Sequence, residues 1–295
     1  MSSPPAAASI ASASTRAADF LELAKPRITF LVVITAAVGY ALGAPEFHAA
    51  TFLAVVVGTA LVAGGASAWN QHAEREADAR MFRTRNRPLP AGRLAPAEAL
   101  SFALLLSAAG LAVLAAGTNA LTVGLGLAAL GSYVFAYTPL KSRTSLCTVV
   151  GAVPGAIPPL MGWAAARGSL DRAAWALFGV LFLWQLPHFL ALAWLYREDY
   201  ARGGFPMLAV SDSDGASTGR QTLLYAAALL PVTLAAGLFA GAGRAFLWGG
   251  LAAGLAFLGG AALFARRREA VWARRLFLAS VLYLPAVLGL MVLDR

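Results

Sequence analysis

Nine runs of about twenty mainly apolar residues follow one another along this chain, parted by short polar breaks. They lie near 28–46, 51–69, 97–117, 119–138, 146–165, 173–194, 221–240, 244–265 and 275–293. A run of that length crosses the hydrocarbon core of a bilayer as a helix. A helix closes its own backbone hydrogen bonds, so each run can sit in lipid. A soluble helical protein can bury one or two such runs, but not nine in succession. Only 13% of the residues are charged, against about 25% in an ordinary soluble domain. The runs show no two-residue alternation of apolar and polar side chains, which argues against a membrane β-barrel. The expected fold is all-α: a polytopic membrane protein of about nine transmembrane helices.

The charges set an expected orientation. With the N-terminus on the cytoplasmic side, 19 of the 23 Lys and Arg residues fall in cytoplasmic segments, as basic residues prefer. One missed span would scramble this split. The formal net charge of +9 is then topological, and the short basic loops give no case for nucleic-acid binding. Residues 1–18, rich in Ala, Ser and Pro, are expected to be a disordered tail, with 19–295 a single transmembrane domain. The tail lacks the basic start and apolar stretch of a cleaved signal. The lone Cys147 excludes an internal disulfide and a multi-cysteine metal site. Ala- and Gly-rich spans suit close helix packing.

The second run leads directly into "NQHAEREADARMFRTRNR" at 70–87. Asn70, Glu74 and Asp78 stand at i, i+4 and i+8. In a helix each step turns about 40° and rises about 6 Å, so one face carries an amide and two carboxylates. Oxygen donors of this kind suit Mg²⁺, which takes one or two carboxylates together with waters and phosphates. The arginines that follow suit the same phosphates. A plain alternative is a solvated helix end, with Glu76 and Arg80 as an i,i+4 pair. Pro88, Pro90 and Gly92 then limit the helix and allow a turn.

A second polar group lies in "WQLPHFLALAWLYREDYARGGFPML". Gln185 and His188 sit well inside the sixth run, where polar groups usually face a cavity or the bundle interior. Asp199 follows His188 by 11 residues and shares its face if the helix is continuous. His188 admits two readings, a hydrogen-bonded packing residue or a tetrapyrrole contact or iron ligand. The stretch 203–206, "GGFP", reads as a hinge that lets the next loop cover a pocket, or as a connector. Lys141 and Arg143, in "YTPLKSRTSL", read as anchoring charges or as ligands for diphosphate or carboxylates. All these groups are expected at one membrane face, which suits a ligand with a charged head and a greasy tail.

These stretches, with "GAVPGAIPPLMGW" and "WARRLFLASVLYLP", resemble the protoheme IX farnesyltransferases (heme O synthases), a branch of the UbiA-type intramembrane prenyltransferases. The likeness covers nearly the whole chain. It implies nine helices around a central cavity in the cell (inner) membrane, with the active site facing the cytoplasm. It implies Mg²⁺-dependent transfer of a farnesyl group from farnesyl diphosphate to a vinyl group of heme B, here a substrate, giving heme O for terminal oxidases. A downstream heme A synthase or oxidase assembly partner is also implied. The resemblance assigns Asn70, Glu74, Asp78 and Asp199 as catalytic residues and metal ligands. It puts Arg83, Arg87, Lys141 and Arg143 at basic positions near diphosphate or propionates, and His188 and Tyr196 are taken as further candidates for substrate binding. Gly203 stands where many superfamily members carry a further Asp, so the likeness supplies no ligand set for a second metal. Alternatives are a prenyltransferase acting on a quinone precursor or chlorophyllide, a transporter, or an assembly scaffold without catalysis.

Overall fold

The computed structural model describes residues 16–295. The expected disordered tail lies outside the described residues as far as residue 15. Residues 16–18, counted with that tail from composition, instead open a helix, α1 (16–23). Contacts beyond the local sequence hold it: Arg16 pairs with Glu98, Asp19 with Arg93 at 2.8 Å, and Phe20 packs on Phe102 at 5.1 Å between ring centroids.

Every long element is helical: α2 (Pro26–Gly43), α3 (Ala49–Arg80), α4 (Pro96–Gly117), α5 (Ala120–Gly131), α6 (Thr138–Leu140), α7 (Cys147–Ala156), α8 (Pro158–Arg167), α9 (Arg172–Leu195), α10 (Arg197–Gly203), α11 (Leu208–Ser211), α12 (Ala216–Ala240), α13 (Arg244–Arg267) and α14 (Ala270–Leu293). Among the described residues, nine helical stretches are long and apolar enough to cross a membrane. Two of them are composite. A wide π turn, Ser132–Tyr137, joins α5 to α6. Pro158 and Pro159 follow α7 and start α8, because proline removes a backbone donor and fits a first turn.

Contacts at the helix ends confirm that the crossings alternate. Arg167 donates to the Gly43 carbonyl, Arg295 to the carbonyls of Ala41 and Leu42, and Gly243 to Asp294. These join the far ends of α2, α8, α13 and α14. The opposite end gathers Lys25, Asn70, Glu74, Lys141, Asp199 and Arg268, where most of the basic residues lie. Small residues bring the helices together: a side chain on Gly162 of α8 would collide with the Ala36 carbonyl oxygen of α2, the close backbone approach typical of membrane helices.

The second span differs most from its sequence-based end. It runs on past residue 69 to Arg80, so the whole Asn70–Asp78 face belongs to one 32-residue helix. The sixth span differs too. Tyr196 leaves helical geometry, with φ −112° and ψ 24°, and α10 begins anew at Arg197. His188 and Asp199 therefore do not share one continuous helical face.

Candidate active site at the basic end of the bundle

The α3 face is buried, although it carries two carboxylates. Asn70 is 3% exposed, Glu74 6% and Asp78 1%. Carboxylates reach such positions only when paired. Asn70 Nδ2 donates to Glu74 Oε1 at 2.7 Å and to Thr138 Oγ1 at 3.3 Å. Lys141 Nζ donates to Glu74 Oε2 at 2.6 Å. Lys25 Nζ approaches Asn70 Oδ1 at 3.4 Å. Arg87, arriving from the loop beyond α3, donates to Asp78 Oδ2 at 2.7 Å. Amide, carboxylates and three basic side chains thus form one cluster drawn from α3, the start of α2, the α3–α4 loop and the end of α6.

Local geometry delivers each partner. Lys25 takes left-handed backbone angles, φ 48° and ψ 63°, just before Pro26, a conformation uncommon for a side-chain-bearing residue. The bend between α1 and α2 sets it beside Asn70. Thr138 Oγ1 also bonds the Tyr133 carbonyl across the π turn, so Asn70 and that turn are linked through one hydroxyl. The π turn also places Tyr133 and Tyr137 with ring centroids 5.1 Å apart.

One oxygen in this cluster has no partner. Asp78 Oδ1 is buried and makes no hydrogen bond among the described residues. An unsatisfied buried acceptor is costly, more so when charged. Together with Asn70 Oδ1 and the Glu74 carboxylate it offers hard oxygen donors, the set that Mg²⁺ selects when phosphates complete its shell. No group of three or more His, Cys, Asp or Glu residues converges on one point among the described residues. The site therefore suits a cation that shares its coordination with a substrate.

Asp199 stands apart from this donor set. Its carboxylate accepts the backbone N–H groups of Phe82 at 3.0 Å and Arg83 at 3.3 Å, and pairs with Arg202. Burial raises its pKa, but the Arg202 bond and the two amides outweigh that and hold it below 3.8. In this arrangement Asp199 clamps α10 to the loop after α3. Arg83 then lies over the rings of Tyr196 (4.9 Å) and Tyr200 (5.6 Å). Arg143 is exposed and its side chain makes no ion pair among the described residues. The stretch after α10 closes over the cluster: Arg80 donates to the Gly203 carbonyl at 2.8 Å and Lys141 lies 4.6 Å from the Phe205 ring centroid. Of the two readings of "GGFP", the covering one matches these contacts.

The pKa values of the two flanking lysines are shifted in opposite directions. Burial, then the nearby Arg87, lowers the Lys25 pKa to about 7. Burial also opposes the charge on Lys141, but Glu74 outweighs it and raises that pKa. Gln185 is a packing residue, its amide bonded to the carbonyls of Ala152 and Leu181. His188 lies at the α9–α14 contact, away from the carboxylate cluster, and bonds Ser280. Lys25, Thr138 and Ser280 were not distinguished as site residues by the sequence pattern. A lysine beside Pro26 at a helix start reads as an anchoring charge, and single hydroxyls in apolar runs carry no spacing signal. Two grooves, about 470 Å³ beside Phe20 and Phe102 and about 440 Å³ beside Asn119 and Val123, lie away from the cluster and are mainly apolar.

The model of the UbiA prenyltransferase family matches residues 32–281. A protein of Solibacter usitatus named protoheme IX farnesyltransferase is 48% identical over 287 residues, covering 94% of this chain and 98% of its own. A protein of Myxococcus xanthus with the same name is 45% identical over 282 residues, covering 95% and 96%. Among solved structures, a digeranylgeranylglyceryl phosphate synthase superposes with a TM-score of 0.79 at 16% identity, covering 95% of this chain and 98% of its own. A UbiA homolog from Archaeoglobus fulgidus bound to GPP and Mg²⁺ gives a TM-score of 0.67 at 15% identity, covering 92% and 99%. At such identities these two structures speak for the fold.

Proposed function

The chain belongs to the UbiA prenyltransferase family, and we propose that it transfers a farnesyl group from farnesyl diphosphate to a vinyl group of heme B, giving heme O. The acceptor rests on one observation: identity of 48% over almost the full length of both chains to a protein named protoheme IX farnesyltransferase. The diphosphate half rests on the buried Asn70–Glu74–Asp78 face and the unpartnered Asp78 Oδ1.

In this reading Asn70, Glu74 and Asp78 hold Mg²⁺, which neutralises the diphosphate and assists its departure. Arg87 and Lys141 place fixed positive charge beside the leaving group, where negative charge develops, and Lys25 lies next to them as a hydrogen-bond donor. Burial makes that charge effective, because little water screens it. Arg80 and the segment from Gly203 to Phe205 shield the site from water, which would otherwise capture the allylic cation. The vinyl carbon of heme attacks that cation. Water then adds at the carbon beside the porphyrin and loses a proton, leaving the hydroxyethylfarnesyl group. Arg83, held over Tyr196 and Tyr200, and the exposed Arg143 are the cations for the heme propionates. Asp199 acts by positioning the Phe82–Arg83 backbone.

The basic end of the bundle faces the cytoplasm of the cell (inner) membrane, with the N-terminus on that side. The product passes to a heme A synthase or an oxidase assembly partner. The test is an acceptor panel: purified chain with Mg²⁺, farnesyl diphosphate and heme B, an aromatic quinone precursor or chlorophyllide. Product is expected with heme B alone. Product with another acceptor and none with heme B overturns the assignment.

A further inference from the structure

His188 sits seven residues before the end of α9, about 10 Å down the helix from the basic end. Its Nδ1 lies 2.7 Å from Ser280 Oγ on α14. Which atom carries the proton is fixed by a third group. Ser280 Oγ also lies 2.5 Å from the Phe277 carbonyl oxygen. A carbonyl cannot donate, so the hydroxyl hydrogen is committed there. Ser280 must then accept from His188, which puts the imidazole proton on Nδ1 and leaves a lone pair on Nε2.

The ring is also fixed in plane. Trp184 stacks on it with centroids 5.2 Å apart at 27°, and Phe277 lies 4.7 Å away at 32°. The Trp184 indole donates to the Ser280 carbonyl at 2.8 Å, tying the stack to the same turn of α14. Buried polar atoms are normally satisfied. Nε2 makes no hydrogen bond among the described residues, yet it is not among the sealed, unpartnered atoms, and His188 keeps partial exposure. A neutral imidazole with one nitrogen held by an oxygen and the other left open is the arrangement that prepares histidine to bind a metal.

We propose that His188 Nε2 is an axial ligand to the iron of the heme substrate and that Ser280 is the positioning residue that sets its tautomer. This inference rests on the heme assignment above. No proton is released on binding, because Nε2 is already unprotonated. Ligation holds the tetrapyrrole at one depth beside α14, with Arg83, which packs over Tyr196 just past the end of α9, to meet its propionates. Of the two sequence readings of His188, the geometry favours the ligand.

The test uses the full-length protein in detergent, with ferric protoporphyrin IX and metal-free protoporphyrin IX as separate probes, followed by optical absorption and EPR. The wild type is expected to show a histidine-ligated ferric spectrum. His188→Ala should lose it while binding the metal-free ring unchanged, and added imidazole should restore it. Ser280→Ala should weaken ferric heme binding about tenfold with no effect on the metal-free ring. His188→Gln, closer in size, serves if the alanine variant does not fold. An unchanged ferric spectrum in either His188 variant overturns the proposal, as does equal loss of both probes in both variants, which marks a packing role. Failure of the wild type to bind either probe overturns the heme assignment instead.

Discussion

Lys141, just beyond α6, donates to Glu74 on α3 across 2.6 Å, and both side chains are buried, 11% and 5% exposed. Removing one member of a buried pair strands the other charge, at a cost of about 3–5 kcal/mol. Lys141→Met should lower the thermal unfolding midpoint sharply in detergent. Adding Glu74→Gln should recover most of that loss, because a neutral pair has no charge to strand. Farnesyl transfer should stay lost in both. An unshifted midpoint in Lys141→Met contradicts the pairing.

Asp199 should behave as a clamp. Its carboxylate holds the Phe82 and Arg83 amides, so Asp199→Ala should speed hydrogen exchange at both without unfolding the bundle. The pH dependence follows from its depressed pKa. A carboxyl lowered by folding adds stability above its ordinary value of 3.8 and loses it as pH falls through the folded value. The protection of those amides, measured against the intrinsic exchange rate at the same pH, should hold at neutral pH and fall only in acid below 3.8. Loss of protection already at pH 6 contradicts the clamp.

Helix contact makes a third test. A side chain at Gly162 meets the Ala36 backbone, which cannot swing aside, whereas Gly124 has nothing within 4 Å. Gly162→Ala should destabilise by about 1–3 kcal/mol as overpacking does. Gly124→Ala should leave the unfolding midpoint almost unchanged. Equal effects of the two contradict the α2–α8 packing.

Metal dependence can be read without heme. Chelation with EDTA should weaken binding of farnesyl diphosphate to the wild type, and Mg²⁺ should restore it. In Asp78→Asn, which keeps an oxygen for Arg87 but loses the carboxylate charge, Mg²⁺ should add little. Restoration equal to the wild type contradicts the role of Asp78.

Much of this architecture was legible in the sequence because membrane helices announce themselves by length and apolarity. Asn70, Glu74 and Asp78 were legible because a fourfold spacing fixes a helical face wherever the helix continues, and α3 continues to Arg80. Asp199 was misplaced because its assignment to the His188 face depended on helix continuity, and Tyr196 ends α9 between them. Lys25 could not be read because its contact depends on a left-handed backbone between two helices. Ser280 could not be read because a hydroxyl gains meaning only once α14 packs against α9.

The most direct test of the central claim is mass spectrometry of hemes from bacteria lacking their own heme-farnesylating activity. These would carry this chain, its Asp78→Asn variant or an empty vector. The chain should produce hydroxyethylfarnesyl heme that the vector does not, and Asp78→Asn should reduce it at least about a hundredfold while still accumulating in the membrane. Hemes indistinguishable from the vector control, or near-normal product from Asp78→Asn, would contradict the account.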